Sequence, residues 1–366
     1  MKFNCLKKDI YKIINEAYDF ISTKSVETIL QNVLIKAEEK KIYIKTSNIL
    51  MGYCAYFENN VIETGEITVS CKKLLDIIRE FDDKTNIEFV FDGSKLNLKT
   101  KDSFFSMSTI DPSHFPTMAE VTPEYYVKIE GSDLIKLLKK VYFCIANESS
   151  KISYNGAHFK MLGNKIQISA SDFQRIAIAE TTVENELADE FVLNIPKKTV
   201  YELIKVLNYN LVEIKSDKKQ VLFKNDNKVI YSNLIESYIK SLSKLFEIEY
   251  NISVTLPLQR TYNALKRIST ITNEISYAVI FSFKGNNLTI SSLETEYGKG
   301  EEVVDNIEKT GDDIEVVFNA KLLLEILNHI ESDKFYLYIV NPQSPVIIKP
   351  DENNYKYLMV TISIEG

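Results

Sequence analysis

Three lysines recur along the chain, each followed four residues later by an acid, in blocks whose apolar spacing predicts a helix. The pairs are Lys72 and Asp76 in CKKLLDII, Lys198 and Glu202 in PKKTVYELI, and Lys321 and Glu325 in NAKLLLEIL. The helix dipole disfavours a cation in the first turn, and lysine before an acid is the weaker order for an ion pair. This recurrence indicates either contact with phosphates through charge, without base recognition, or a solvated helix face inherited by duplication.

The spacing of these blocks indicates an internal repeat of domain size. Lys72 and Lys198 are 126 positions apart, and Lys198 and Lys321 are 123 apart, in a chain of 366 residues. The segments KIYIKTSN, KIQISASD and NLTISSLE repeat at nearly the same interval. We therefore predict an α+β fold of three similar tandem domains, 1–120, 126–246 and 247–366, each with two helices on one face of antiparallel sheets.

Three such domains in a row leave a sheet edge at each end of the chain. Exposed edges are usually covered or paired in natural proteins. Pairing the edge of the first domain with that of the last would give either a closed ring or a filament. The pattern therefore predicts self-association.

Composition and charge restrict the class of protein. Apolar residues make up 45% of the chain and charged residues 26%, which is typical of a globular protein. The net charge of −7 argues against a protein that grips nucleic acid over its whole surface, although a small basic face is compatible with it. The N-terminus is charged and no long apolar run occurs, so we expect a cytoplasmic protein with no membrane contact.

The residue types that commonly form metal or catalytic sites give no such pattern here. The four cysteines lack metal-type spacing and are predicted to be buried thiols in a reducing compartment. The three histidines, His114, His158 and His329, are predicted to be surface or half-buried residues rather than ligands. Asp111 and Asp172 follow strands, where a turn or cap role is the better interpretation. Without a phosphate loop, serine elbow or zinc motif, we predict a protein that is not an enzyme and needs no metal or cofactor.

A colinear set of segments resembles one known family. ITVSCKKLLDIIREF and IEFVFDGSKLNLKTKDSFFSMSTIDPSHFP resemble the first domain of the bacterial sliding clamps, the beta subunits of DNA polymerase III. ISASDFQRIAI, FVLNIPKKTVYELIKVL and YLMVTIS follow the same family in order, so the resemblance covers the whole chain.

The resemblance implies a head-to-tail homodimer that forms a six-domain ring of the DNA clamp type around double-stranded DNA. Such a ring holds the catalytic subunit of DNA polymerase III for processive synthesis and has no catalytic activity. It also docks the clamp loader, other polymerases and mismatch-repair proteins through short linear motifs. The alternatives are an interaction scaffold on the same fold that does not bind DNA, and an enzyme whose site forms between domains.

The resemblance also assigns roles to individual residues. It places Lys24, Lys72 and Lys198 in contact with DNA. It places Lys73, Ile77, Phe105 and Met107 of one subunit beside Ile271 of the other, although core packing explains Ile77 and Phe105 as readily.

The family's partner-peptide pocket lies between the second and third domains. Its predicted members here are Tyr154, Ser171, Arg175, Ile176, Ile239, Asn319, Leu322, Leu358, Met359, Val360 and Thr361. The sequence departs from the family at Phe173–Gln174, where Gly-His is frequent, and in the segments 238–241 and 361–363. We expect Phe173 to fill part of the groove.

Overall fold

The computed structural model describes residues 1–23, 25–116, 122–239, 242–352 and 354–363, without the side chains of Glu184 and Glu186. The elements of the first repeat are β1 (Lys2–Leu6), α1 (Lys7–Tyr18), β2 (Asn32–Glu38), β3 (Lys41–Ser47), β4 (Met51–Glu58), β5 (Gly65–Ser70), α2 (Cys71–Arg79), β6 (Asn86–Phe91), β7 (Lys95–Lys99) and β8 (Phe104–Ile110). Those of the second are β9 (Tyr125–Glu130), α3 (Gly131–Val141), β10 (Gly156–Ser171), β11 (Arg175–Pro196), α4 (Lys197–Val206), β12 (Leu211–Ser216), β13 (Gln220–Asn225) and β14 (Lys228–Asn233).

The third repeat has the same order as the first, with one additional short strand. Its elements are β15 (Ile252–Pro257), α5 (Leu258–Ile268), β16 (Ala278–Lys284), β17 (Asn287–Ser292), β18 (Glu301–Val304), β19 (Glu308–Thr310), β20 (Ile314–Asn319), α6 (Ala320–Leu327), β21 (Lys334–Ile339), β22 (Val346–Pro350) and β23 (Tyr355–Met359). The mixture of helices and antiparallel sheets agrees with the α+β prediction.

Two of the three helices that carry the recurring lysines, α2 and α6, begin after a capping side chain. Ser70 caps α2, because its side-chain oxygen accepts a hydrogen bond from the Lys73 amide at 3.4 Å. Asn319 caps α6 in the same way, with 3.1 Å to the Leu322 amide. In α2, Leu74 and Ile78 are buried while Lys72 and Lys73 are exposed, so the apolar face fixes the lysines on the solvent side.

The second repeat contains two unusually long strands. The segments GAHFKML and KIQISAS both belong to β10, a single strand of 16 residues. Its partner β11 has 22 residues, and the register between them shifts around Gly163. Such an irregularity lets the ladder continue through a bend instead of ending in a loop.

One compact unit comprises residues 1–135 and 201–234. Its 12-stranded sheet has the order β1-β6-β7-β8-β5-β2-β3-β4-β14-β13-β12-β9. Strands of the first and second repeats meet at the antiparallel pair of β4 and β14. The pairing runs from Met51 opposite Ser232 to Ala55 opposite Lys228.

This junction buries charge as well as apolar surface. Lys228 donates to Glu16 at 2.9 Å and to the Val206 carbonyl at 3.0 Å, and the Tyr53 hydroxyl donates to Glu16 at 2.7 Å. The Lys228 and Glu16 side chains are only 9% and 11% exposed. Burial, followed by the charge of Glu16, raises the pKa of Tyr53 far above its ordinary value. The hydroxyl therefore remains a donor.

The second compact unit comprises residues 136–200 and 235–366. It contains a 7-stranded sheet, β10-β11-β23-β22-β21-β15-β19, and a 4-stranded sheet, β18-β17-β16-β20. Strands of the second and third repeats meet where β11 pairs with β23. The pairing runs from Arg175 opposite Met359 to Ala179 opposite Tyr355.

One histidine contradicts the prediction from sequence. His114 is exposed and His329 half-buried, as expected, but His158 is only 3% exposed. It lies in β10 between Ala157 and Phe159, in a stretch of four consecutive buried residues. Both faces of the strand are buried along this stretch, so the side chain is covered whichever face it occupies.

Candidate interaction surfaces

The lysines predicted to contact phosphate occupy equivalent helix starts. Lys72 in α2 and Lys198 in α4 are both exposed in the first turn. Lys197, directly before Lys198, instead donates to the Ile145 carbonyl at 2.6 Å and to Asn147 at 2.8 Å. Desolvation lowers the pKa of Lys197. Lys197 therefore holds a loop while Lys198 presents its charge to solvent; Lys24 lies outside the described residues.

The residues predicted at a subunit interface lie near two sheet edges. In β8, Phe104–Ser108 pair with β7, and the contact with β5 is limited to Thr109 and Ile110. Phe105 is 38% exposed and packs edge-on against Phe81, while Met107, two residues along the strand, is half-buried. Residues i and i+2 share a strand face, so this edge presents Phe105 and Met107 together.

Two other predicted interface residues lie on α2, and one lies in the other unit. Lys73 is exposed and Ile77 half-buried on α2. In the third repeat, Ile271 is half-buried, and Gly300 packs close to it just before β18. Within the described residues β18 pairs only with β17, and its Val303 is 39% exposed.

Three apolar members of the predicted peptide site, Ile176, Ile239 and Leu358, belong to one cluster. Ile176, Ile178, Leu242, Ile347 and Leu358 are buried together, and Ile239, Phe246, Ile248 and Tyr338 pack against them. The ladder between β11 and β23 sets Ile176 opposite Leu358 and Arg175 opposite Met359. The tertiary structure therefore brings together residues from three distant segments of the chain.

Two neighbouring residues at the end of β23 have different roles. Met359 is 1% exposed and belongs to the core, whereas Val360 is 38% exposed. The Val360 amide donates to the Gln174 carbonyl at 2.9 Å, which fixes the strand end beside the turn before β11. Thr361 is half-buried. Of the four predicted C-terminal members, Val360 is the one whose side chain is most available to a peptide.

Arg175 links several segments at this site through buried hydrogen bonds. Its side chain is 4% exposed and donates to Asp172 at 2.8 and 3.0 Å, and to Glu325 at 2.7 Å. It also reaches the Phe143 carbonyl at 3.2 Å and that of Leu322 at 3.4 Å. Burial opposes the charge, but the two acids prevail and the pKa of Arg175 is raised. Its donors are occupied, so a peptide would have to displace one of these acceptors.

The turn between β10 and β11 presents two aromatic rings. Phe173 stacks on Tyr154 with ring centroids 4.0 Å apart and an interplanar angle of 23°. Ser171 is buried, and its hydroxyl accepts from the Phe173 amide at 3.3 Å. Asp172 accepts from the amides of Gln174 and Arg175, which confirms its predicted turn role. Asp111 likewise accepts from the Ser113 amide at the start of a short 3-10 turn.

Sequence reasoning missed Asn194, a buried residue that links two segments of this region. Asn194 is 2% exposed, and its amide donates to the carbonyls of Ser153 at 3.1 Å and Ser237 at 2.6 Å. These carbonyls lie on the segments that carry Tyr154 and Ile239. A polar residue inside the apolar run FVLNIP was the available signal.

A polar cavity of about 600 Å³ lies on the Arg175 side of this region. Its charged and polar lining includes Asn147, Asp172, Arg175, Lys197, Glu325 and His329.

Across the described ranges, no group of three or more His, Cys, Asp or Glu side chains is arranged to hold a metal. Burial raises the pKa of the Cys5 and Cys71 thiols to about 12, so both remain protonated. Among the described helices, none is long and apolar enough to cross a membrane.

Known proteins match this chain from end to end. Models of the DNA polymerase III beta subunit match in order: the N-terminal domain at residues 1–119, the central domain at 128–239 and the C-terminal domain at 243–362. The chain is 25% identical to the beta sliding clamp of Haemophilus influenzae over 97% of both chains. It is 24% identical to that of Staphylococcus aureus over 96% of both.

Solved structures share the fold. The DNA polymerase III subunit beta of Pseudomonas aeruginosa superimposes with a TM-score of 0.95 at 21% identity, over the full length of both chains. The DNA polymerase sliding clamp of Bacillus subtilis gives 0.94 at 20% identity, also over both full lengths. These similarities confirm the predicted architecture of three tandem clamp-type domains.

Proposed function

This chain belongs to the DNA polymerase III beta-subunit family, the sliding clamps, and we propose that it acts as a head-to-tail dimeric ring around double-stranded DNA. The ring tethers the catalytic subunit of DNA polymerase III for processive synthesis, without catalysing a reaction itself. It works in the cytoplasm, where a bacterial chromosome lies.

The observation that best supports a ring is a repeated sheet junction. In the first repeat, the strand after KIYIKTSN is β4, and it pairs with β14, the last strand of the second repeat. After KIQISASD the strand is β11, which pairs with β23, the last strand of the third. By the same rule, β18, which follows NLTISSLE, requires a last strand, and the last strand of the first repeat is β8. Two such pairings between two copies close a ring.

The chemistry of the two edges suits this pairing. The edge of β8 carries Phe104, 62% exposed, and Phe105, and β18 carries the exposed Val303. Pairing would bury these side chains and satisfy backbone groups that a lone edge leaves open. Lys73, Ile77, Phe105, Met107 and Ile271 are therefore proposed as interface residues.

Contact with DNA is assigned to the lysines at the helix starts. Lys72 and Lys198 occupy equivalent exposed positions in two repeats, and Lys24 is proposed with them. Charge contacts to phosphate carry no sequence information and allow sliding, whereas base contacts would stop it. The net charge of −7 limits binding elsewhere on the surface.

Partner proteins are proposed to dock at the apolar cluster of Ile176 and Leu358, at the exposed Val360 and at the neighbouring Tyr154. A short linear peptide gains most of its affinity from a few apolar anchors in such a pocket. The partners are the polymerase subunit, the clamp loader, other polymerases and mismatch-repair proteins.

A topological test separates this function from a scaffold that does not bind DNA. The protein is loaded by its clamp loader onto nicked circular DNA, which is then cut once, and retention is followed by gel filtration. A ring stays on the circle and slides off the linear form. Retention on neither form, with a monomeric mass in sedimentation, would contradict the ring and favour the scaffold, which the acidic charge also suits.

A further inference from the structure

We propose that Arg267 of one copy of this chain binds the end of helix α2 in a second copy, where it donates to the Glu80 carbonyl and pairs with the Asp82 carboxylate. The inference rests on the proposed head-to-tail ring and adds a specific charged contact between the subunits. It follows from a contact that the chain makes at both of its internal junctions.

At the junction of β4 and β14, a lysine ammonium binds the end of a helix. Lys228, the first residue of β14, donates at 3.0 Å to the carbonyl of Val206, the tenth and last residue of α4. It also donates at 2.9 Å to Glu16, the tenth residue of α1. The last carbonyls of a helix lack partners within the helix and carry partial negative charge, so a cation is favourable there.

The junction of β11 and β23 places a lysine ammonium in the same position. Lys140, the tenth residue of α3, donates at 2.6 Å to the carbonyl of His329, the tenth residue counted from the start of α6. It also pairs with Glu331 at 2.8 Å and lies 4.3 Å from the centre of the ring of Tyr355, the first residue of β23. The cation therefore comes from the strand at one junction and from the helix at the other, but it binds the same helix end.

The remaining helices supply a third set of these positions. Arg267 is the tenth residue of α5, and Glu80 is the tenth counted from the start of α2. Asp82 lies two residues beyond Glu80, as Glu331 lies two residues beyond His329. Arg267, Glu80 and Asp82 are all exposed in the single chain. The repeated pattern therefore assigns Arg267 to the end of α2 in a second copy.

Both halves of this third set lie beside the edges that the ring is proposed to join. Phe81, between Glu80 and Asp82, packs edge-on against Phe105 of β8, with ring centroids 6.0 Å apart. The Arg267 guanidinium donates to Glu302 of β18 at 2.9 Å. Pairing β8 of one copy with β18 of the other would therefore bring the guanidinium to the helix end.

Glu302 orients Arg267 for this contact. The fourth residues of KIYIKTSN, KIQISASD and NLTISSLE are paired across the ladder with Ala55, Ala179 and Glu302, respectively. Both alanines are fully buried, whereas the Glu302 side chain is 23% exposed. The third junction thus has a carboxylate where the internal junctions have a methyl group. A guanidinium has five donors, so Arg267 can keep Glu302 and still bind two more acceptors.

The test measures the dissociation constant of the dimer by sedimentation of the full chain over a dilution series. Arg267→Gln should weaken each interface about tenfold, because it leaves the helix end and Asp82 without their cation. A ring has two such interfaces, so the dissociation constant should rise about a hundredfold. Asp82→Asn should have a smaller effect, since the Glu80 carbonyl remains, and should add nothing to Arg267→Gln.

Lys266→Gln is the matched control. Lys266 is the neighbouring exposed cation on α5, and successive helical residues point about 100° apart, so it faces away from the proposed contact. Its replacement should change the dissociation constant less than about twofold. Melting curves followed by circular dichroism verify that every variant is folded.

The possible outcomes separate the contact from the ring. A hundredfold loss in Arg267→Gln that Asp82→Asn does not increase supports the contact. A dimer as tight in Arg267→Gln as in the unaltered protein overturns it and leaves the ring in place. Fully additive losses also overturn it, because Arg267 would then act through Glu302 of its own chain. A monomer at every concentration of the unaltered protein refutes the proposed ring and the contact with it.

Discussion

The buried ion pair at the junction of β4 and β14 gives a sharp prediction about stability. Lys228→Met keeps an unbranched side chain one atom shorter and removes its charge, which leaves the Glu16 carboxylate buried with Tyr53 as its remaining described donor. The two charged groups are 2.8 Å apart and about nine-tenths buried. Replacement should therefore destabilise the unit that contains this junction.

The magnitude follows from the geometry. At an effective dielectric constant of about 20, unit charges separated by 2.8 Å attract by about 6 kcal/mol, and desolvation of both groups opposes most of this. Removing one partner of a buried pair costs about 3–5 kcal/mol, because the other charge stays buried. For a unit of this size the midpoint of thermal unfolding should fall by roughly 6–20 °C.

Two further variants decide whether the reasoning holds. Lys224→Met removes an exposed lysine that pairs with Glu213 at 3.4 Å on the neighbouring strand, and should change stability by less than about 0.5 kcal/mol. The double variant Glu16→Gln with Lys228→Met should recover much of the loss, because no unpaired charge remains. Urea and thermal unfolding measure all three. A loss below about 1 kcal/mol in Lys228→Met, or no recovery in the double variant, would refute the account.

Three other predictions concern DNA, packing and pH. The double variant Lys72→Glu with Lys198→Glu should weaken DNA binding and make the slope of log affinity against log salt concentration less steep by roughly 1 per lost contact. Fluorescence titrations at several salt concentrations would measure this slope, and an unchanged slope would exclude both lysines as phosphate contacts. Gly52→Ala should destabilise the junction of β4 and β14, since the new Cβ would clash with the Tyr231 ring and the Thr46 carbonyl, and a wild-type urea midpoint would contradict this. Burial lowers the pKa of His158 from 6.5 to about 4, so between these pH values the unfolded chain binds a proton at this residue that the folded chain does not. The free energy of unfolding should therefore fall by up to about 3 kcal/mol as pH drops from above 6.5 to 4. Urea unfolding across this range should show that loss in the unaltered protein and not in His158→Gln, and equal loss in both would be evidence against it.

Local patterns predicted the elements of the fold because each depends on neighbouring residues. The helix CKKLLDII follows a capping Ser70, and its buried Leu74 and Ile78 recur at helical spacing. The turn role of Asp172 follows equally from its own side chain and the two amides after it. The chain therefore encodes its α+β repeats at short range.

The hydrogen-bond partners and burial of side chains at the peptide site could not be predicted in this way. Arg175 and Met359 were predicted as members of the site from sequence, and only the structure shows that Arg175 is bound to Asp172 and Glu325 and that Met359 is buried in the core. Asn194 was not singled out, because its two carbonyl acceptors lie about 40 residues away along the chain in either direction.

By itself the sequence determined the threefold repeat, the helices and strands within it, and the family to which the chain belongs. Only the tertiary structure decided which strands meet at β4–β14 and β11–β23, which lysines face solvent, and how Phe173 stacks on Tyr154. The physical reason is the distance along the chain over which each interaction acts. Helical periodicity and turn chemistry act over a few residues, whereas burial, ion pairing and ring stacking depend on segments brought together by the packed core.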